Sequence, residues 1–240
     1  MFTLIASVAA TVVAGAVAVL PARPARAIHP PPKLLNIVRH TLKKGTRRSY
    51  EQLEAASVKA YERAHVPVYW TALLSTTDAA DVVYLNMAES QEEWERLSTS
   101  DATAAAVHPE LRKLSARLAT MIGSSASMLT TRRDEITSNR TDVDLVTMRA
   151  LRLVVFHVNP GREGAFMRAA RRAEGRIAPW SLYESNEDST FVLVAPLKAA
   201  SEAKKTAAIP LRLQQLKRVY TKTEAGVYLV KPRMSHLPKT

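Results

Sequence analysis

A chain of 240 residues with 47% hydrophobic side chains and no cysteine has apolar material for one large or two small globular domains, held by packing without disulfides. Its formal charge is +12, but the basic pairs Lys43-Lys44, Arg47-Arg48, Arg132-Arg133, Arg171-Arg172 and Lys204-Lys205 are interleaved with acids, without the basic run or aromatic platform of a nucleic-acid reader. A phosphate loop, a GxSxG elbow and zinc-type HxH or HxxxH spacings are all absent, which sets aside nucleotide-binding, serine-hydrolase and zinc chemistry.

From the start, Phe2 to Leu20 form a nearly unbroken apolar run followed by Ala25-Arg26-Ala27, the small-residue pattern of a signal-peptidase site. The expectation is a signal peptide over 1–27, with export to the periplasm or beyond as a mature protein of charge +10. Arg23 and Arg26 follow the apolar run instead of preceding it, so an uncleaved N-terminal anchor is the alternative. A basic exported protein meets anionic envelope surfaces or acidic ligands more readily than nucleic acid. Pro30 to Pro32 make residues 28–33 an extended tether.

Residues 34–133 read as a first unit. LLNIVRHTL alternates as a strand, with Asn36, Val38 and His40 on one face and Leu35, Ile37 and Arg39 on the other. A turn at Gly45 leads to a helix capped by Thr46, with Tyr50, Leu53, Ser57, Ala60 and Tyr61 on one side. Strands are expected near 67–75 and 82–88, joined by a polar turn. Ser90 and Glu93 form a capping box for a short helix carrying Trp94 and Leu97, and a second helix spans Asp101 to Ile122, ended by Gly123. SMLTTRR closes the unit as a strand.

After a polar linker over 134–147, residues 148–233 repeat the order: strand 149–158, a turn at Gly161, a helix near 162–175, strands near 178–185 and 190–196, helical segments from Ser201 to Arg218, and a last strand in AGVYLVKP. Tyr50 and Phe166 stand five residues past the two glycines, and Trp70 and Trp180 sit on corresponding strands. This recurrence predicts an internal duplication of a βαββαβ unit.

A βαββαβ unit is ferredoxin-like. Two of them, sheet to sheet, resemble the dimeric α/β barrel superfamily as a fused pseudo-dimer, which gives the expected class, α+β. The fragments HVNPGREGAF and FVLVAPLKAASEA are similar to junctions in uncharacterised exported relatives of the antibiotic-biosynthesis monooxygenases. The resemblance implies a small-molecule cavity between the sheets. Relatives of this kind use an Asn on the first strand with a Trp and a His in one cleft, which maps onto Asn36, Trp70 and His40 as candidate catalytic residues. An amide can orient bound oxygen, an indole can wall the site, and an imidazole titrates near neutral pH. The chain departs from the pattern in two ways: the family's His normally lies on a helix, and the second unit has Val155 and Phe156 near the positions of its own Asn and His. Aligning on the glycines sets His157 opposite Thr41.

Trp70, Trp180, Tyr84, Tyr183 and His157 are the candidate ligand-binding residues, against the structural alternative that large aromatics simply pack the core. No cofactor is assigned. Haem, which other members of the superfamily carry, is the alternative, with His40, His108 or His157 as its axial ligand. The sequence thus supports first an exported barrel that binds a small molecule or an envelope partner without catalysis, as a monomeric pseudo-dimer or a homodimer. The second reading is a monooxygenase-like or haem-handling enzyme.

Overall fold

The computed structural model describes residues 31–136, 148–173, 180–204 and 218–237, so the expected signal peptide and the first half of the expected tether lie outside the described residues. Its first half runs β1 (Leu34–Leu42), α1 (Arg47–Ala64), β2 (Trp70–Ser75), β3 (Asp81–Ala88), α2 (Gln91–Val107), α3 (Pro109–Met121) and β4 (Ile122–Arg132). The second runs β5 (Ala150–Val158), α4 (Glu163–Ala173), β6 (Ser181–Ser185), β7 (Thr190–Leu197) and β8 (Tyr220–Val230), with short 3-10 turns at Ala200–Lys204 and Pro232–Met234.

The eight strands close into one barrel in the order β1-β3-β2-β8-β5-β7-β6-β4, and every neighbouring pair is antiparallel. Each half supplies a four-stranded sheet, β4-β1-β3-β2 and β8-β5-β7-β6. The halves join by exchanging edges, β2 onto β8 (Leu73↔Val230) and β6 onto β4 (Thr130↔Ser185). Closure removes the open sheet edges that would otherwise template aggregation.

The alternation of β1 sorts the side chains as the sequence pattern requires. Leu35 and Ile37 enter the barrel interior with Leu73, Val83, Leu85, Leu151, Leu153, Tyr183, Val192, Val194 and Tyr228. Val38 and its row-mates Tyr84 and Ala72 face outward, beneath α1 and α3. The corresponding outward layer of the second half holds Val154, Phe156, Phe166, Trp180, Leu182, Phe191 and Leu193.

Local details recur between the halves. Gly45 and Gly161 both take φ 79°, the left-handed region, after a register shift at the end of β1 and of β5. The Ser75 hydroxyl accepts from the Thr77 and Asp78 amides, and Ser185 accepts from Glu187 and Asp188.

Four expected boundaries shift, for identifiable reasons. β2 starts at Trp70, three residues late, because His65 ends α1 in a left-handed conformation and Pro67 offers no ladder donor. The helix expected to begin at Asp101 is the tail of α2; the break falls at His108, which Pro109 holds extended. Gly123 does not cap α3. It lies inside β4, where a Cβ would stand 3.2 Å from the Thr41 carbonyl. Thr46 sits at the start of α1 without capping it, its hydroxyl donating to the Lys43 carbonyl instead. The Ser90 box forms, with Glu93 N–H bonded to the Ser90 hydroxyl and the Glu93 carboxylate accepting from the Glu89 amide. The expected helix from Ser201 to Arg218 and the linker beyond Ile136 fall mainly outside the described residues.

The C-terminal segment crosses back to the first half. Trp70 and His236 exchange backbone hydrogen bonds (2.9 and 3.0 Å), the Trp70 indole donates to the Met234 carbonyl (2.7 Å), and the Ala72 amide donates to the Ser235 hydroxyl (2.9 Å).

Candidate functional site

Direct cross-strand neighbours point to the same face, so the ladder registers fix the floor of the first half's outward layer. One row is Asn36, Asn86 and Trp70, the next Val38, Tyr84 and Ala72, the next His40, Val82 and Leu74. Asn36, His40 and Trp70 therefore share a face, as expected. They do not converge: Asn86 stands between Asn36 and Trp70, and His40 lies two rows away. The Asn86 side-chain amide donates to the Asn36 carbonyl (3.4 Å), which makes Asn86 a member of this row that sequence reading did not single out. Trp70 is packed among Tyr61 and His236, with ring centroids 5.0 and 5.1 Å away.

His40 belongs instead to a hydrogen-bonded chain. Its Nδ1 lies 2.8 Å from the Tyr50 hydroxyl, which lies 2.9 Å from the Tyr84 hydroxyl, and the buried Glu54 carboxyl sits beside both tyrosines. Tyr50 and Glu54 are one helical turn apart on α1, so the helix lowers both onto Tyr84. Tyr50, Tyr84 and Glu54 are buried, while His40 is half-buried at the outer end of the chain. Burial pushes the Glu54 carboxyl up to about 7, partly offset by the two tyrosine hydroxyls beside it. Burial also raises both tyrosines, and it lowers His40, which favours the neutral ring.

The second half shows what this architecture needs when nothing polar is asked of it. Through the matching glycine turns and ladder registers, Tyr50 corresponds to Phe166, Glu54 to Ala170, His40 to Phe156 and Tyr84 to Leu193, all four of them buried. Two residues before the matching pairs Ala72↔Tyr84 and Leu182↔Leu193, Trp70 begins β2 while Trp180 immediately precedes β6 instead of lying on it, and the turn alignment sets His157 opposite Thr41.

His157 accordingly faces the other way from His40. It joins a cluster at the end of the barrel where β1 and β5 finish. Arg39 pairs bidentately with the buried Asp81 (2.7 and 3.1 Å) and reaches Glu224 (2.8 Å). Glu224 also meets Lys222 (2.8 Å) and His157 Nε2 (3.3 Å), while the Tyr228 hydroxyl donates to Asp81 (2.8 Å). Lys222, then Arg39 and His157, hold the Glu224 carboxyl at about 2. The Tyr228 ring lies where a Cβ on Gly226 would stand, 2.6 Å away, so only glycine lets the tyrosine fold over β8 toward Asp81. Every charge here has an opposite partner, which makes the cluster a closure of the barrel mouth. Tyr183 faces the barrel interior and donates to the Pro32 carbonyl (3.0 Å), so it and Tyr84 occupy different layers.

Sequence reading missed Glu54, Asn86, Arg39, Asp81 and Glu224. For Glu54 a signal existed: a carboxylate set within the apolar stripe of Tyr50, Leu53 and Ser57. The ion cluster had none, because its members are far apart in the chain. Among the described residues no group of three or more His, Asp or Glu is arranged to hold a metal ion.

No protein-family model and no curated protein matches this chain. Solved structures do. A candidate monooxygenase from Fusobacterium nucleatum subsp. nucleatum superposes with a TM-score of 0.58 at 11% identity, covering 83% of this chain and 93% of its own. An anthrone oxidase-like protein gives 0.57 at 12% identity, with 85% and 91% covered. A mutant chlorite dismutase from Candidatus Nitrospira defluvii, in complex with cyanide, gives 0.54 at 11%, with 85% and 92% covered. These structures share with the chain the fold of a ferredoxin-like α/β barrel.

Proposed function

We propose that the protein is a small-molecule oxygenase of the monooxygenase-like barrel type, with its chemistry confined to the outward layer of the first half. The observation that carries this reading is the buried set Tyr50, Glu54, Tyr84 and His40, set against Phe166, Ala170, Leu193 and Phe156 at the same positions of the second half. Buried polar groups cost stability that apolar packing does not, and perturbed titratable groups gather at functional sites. The similarity to monooxygenase-named and anthrone oxidase-like structures supports the class. The reaction converts an activated methylene group and dioxygen into a ketone and water. Both C–H bonds break, one oxygen atom enters the new carbonyl, and the other leaves as water with both hydrogens. Asn36 and Asn86 would orient the oxygen-bearing groups, and Trp70 would supply an apolar wall.

A porphyrin does not suit these layers as they are folded. Beside His40 the space is taken by Tyr50, Tyr84 and Leu53, and the second half's layer is filled by Phe156, Phe166, Phe191 and Trp180. His157, the other strand histidine considered as a haem ligand, is engaged at Nε2 by Glu224 and lies 3.4 Å from Thr190 at Nδ1. No step is routed through haem.

The test is oxygen uptake by the chain from Ile28 with anthrone as substrate, together with the visible spectrum of protein purified from a haem-replete host. Uptake that falls about 100-fold in Asn36→Ala, with unchanged melting, and persists in the second-half variant Leu193→Val is the expected result. A Soret band that tracks His40 would overturn the packing argument. The wide spacing of Asn36 and His40 favours a second reading, binding without turnover; saturable tryptophan quenching by anthrone without oxygen uptake would establish it.

The apolar run and Ala25-Arg26-Ala27 support cleaved export as part of the same proposal, and the matching halves support an internal duplication that makes the monomer a pseudo-dimer. The N-terminal sequence of secreted protein reads out the first, with Ile28 expected and an intact Met1 contradicting it.

A further inference from the structure

We infer that the first half is also a docking surface for another polypeptide, an extended acidic segment that adds as a strand to the open edge of β4. Barrel closure covers only one end of that edge. β6 pairs with β4 from Thr130 to Arg132, and the Asn186 amide reaches one residue further, to the Leu129 carbonyl. The earlier part of β4 runs on past the β6–β7 turn, with β1 on one side and, among the described residues, no strand on the other.

The main chain there is set to receive a strand. Arg132 donates its amide to the Lys33 carbonyl on the β1 side, while Leu129 turns its carbonyl the opposite way, to Asn186. Residues of an antiparallel ladder alternate in the side to which they bond. Ser127 and Ser125, in step with Leu129, therefore turn their N–H and C=O groups away from β1, and among the described residues nothing takes those groups up. Gly123 to Ser127 are exposed and carry neither charge nor proline, devices that ordinarily blunt an edge. The β8 edge shows the contrast. Its residues before Tyr228 likewise run past β2, but they include Lys222 paired with Glu224 (2.8 Å), and Glu224 is tied across the barrel mouth to Arg39 (2.8 Å).

Charge names the partner. No acid occurs from Lys33 to Tyr50 or from Leu111 to Arg133, the stretches that hold β1, the start of α1, most of α3 and β4. Arg39, Arg47, Arg132 and Arg133 are matched by acids from outside these stretches. Lys43, Lys44, Arg48, Lys113 and Arg117 are exposed and enter no ion pair among the described residues. Lys43 and Lys44 follow directly on Leu42, which pairs with Ile122, and the Lys43 ammonium is fastened to the Thr120 carbonyl at the end of α3 (2.7 Å). The unmatched positive charge thus stands at the entry of the open edge. A second copy of the chain would bring the same cations and repel itself, and a lipid or polysaccharide surface has no ladder of alternating donors and acceptors. An acidic strand meets both features, its backbone giving affinity and its carboxylates orientation.

The test uses the full chain and a synthetic peptide alternating threonine and glutamate, followed by fluorescence anisotropy and by hydrogen exchange of the protein's amides. Saturable binding that protects the Ser125 and Ser127 amides is the expected result. Methylating alternate peptide nitrogens keeps the charge and removes ladder donors, and should weaken binding about tenfold, as should replacing the glutamates by lysines. Ser125→Pro removes an outward amide without touching the β1 ladder, so melting should hold while binding weakens by a similar factor. If that variant melts lower, the methylated peptide decides the point on the unaltered protein. Lys44→Glu combined with Arg117→Glu should erase the preference for glutamate over lysine. Absence of binding, equal affinity for the methylated peptide, or protection that falls elsewhere overturns the docking edge, and equal affinity for the lysine peptide overturns the acidic partner. A free chain that sediments as a dimer, and as a monomer in Ser125→Pro, assigns the edge to a second copy and overturns the proposal.

Discussion

The outward layers of the two halves are built on the same registers and hold opposite chemistry. In the second half Phe166 packs between Phe156 and Phe191, with ring centroids 5.0 and 4.7 Å away. In the first half the same space holds an imidazole and two phenols joined by hydrogen bonds, with a carboxyl buried beside them. Because Phe, Ala and Leu satisfy the helix-on-sheet contact in one half, packing does not demand polar groups in the other. The polar set carries a desolvation cost that the second half avoids, which marks it as the candidate site.

The comparison breaks first at the apolar side. Phe166→Ala should cost about 3–5 kcal/mol, because a fully buried ring leaves a cavity among rings that cannot close over it; chemical denaturation measures it. At the polar side the effect is on pH dependence. Glu54 titrates near 7 when folded against 4.5 for the free group, so the folded protein binds this proton more tightly than the unfolded chain. Its contribution is fully present below pH 4.5 and is lost as pH rises through 7, a decline on the order of 3 kcal/mol. Glu54→Gln should flatten that decline in urea midpoints taken from pH 4 to 8, while the second half's variants leave its slope unchanged.

Smaller tests show where the halves are alike. Gly45→Ala and Gly161→Ala should each cost about 1–2 kcal/mol, since both occupy the left-handed region with open space beside them, so strain is the whole effect. Ser75→Ala and Ser185→Ala should each cost about 1 kcal/mol through the lost turn bonds. Equal costs within each pair would confirm that the scaffolds match and only the layers differ; a gap above about 1 kcal/mol would mean that the correspondence is looser than the registers indicate.

Much of the scaffold was legible because it is written locally. The period of two in LLNIVRHTL put Asn36 and His40 on one face, the glycine offsets matched the two turns, and Trp70 and Trp180 each stand two residues before a matching ladder pair. Proline announces the helix break at His108 and Pro109, whereas the helix start expected at Asp101 falls inside α2. The site was only half legible. Strand parity says which residues share a face and nothing about which of them touch, so Asn36, His40 and Trp70 read as one cleft although Asn86 and Tyr84 intervene. The turn alignment sets His157 opposite Thr41, and the registers accordingly place it on the other side of the sheet from His40. Glu54 was hidden because a carboxylate on a helix is ordinarily solvated, and only the packing of α1 against β3 shows that this one is not. The Arg39, Asp81 and Glu224 cluster depends on closure between β1, β3 and β8, a relation carried by no short stretch of chain.

The bond between Trp70 and residues 234–236 has a consequence in time. β2 lies between β3, its sequence neighbour, and β8 of the second half, so the wall of the first half that carries Trp70 is finished by residues distant in sequence. Contacts spanning some 160 residues form slowly, because the loop between them must be closed before they repay its entropy. Without residues 228–236 the β2 edge would be unpaired and Trp70, though packed against Tyr61, would lack its bonds to Met234 and His236. The wall that carries Trp70 thus waits on residues contributed by the other half of the barrel.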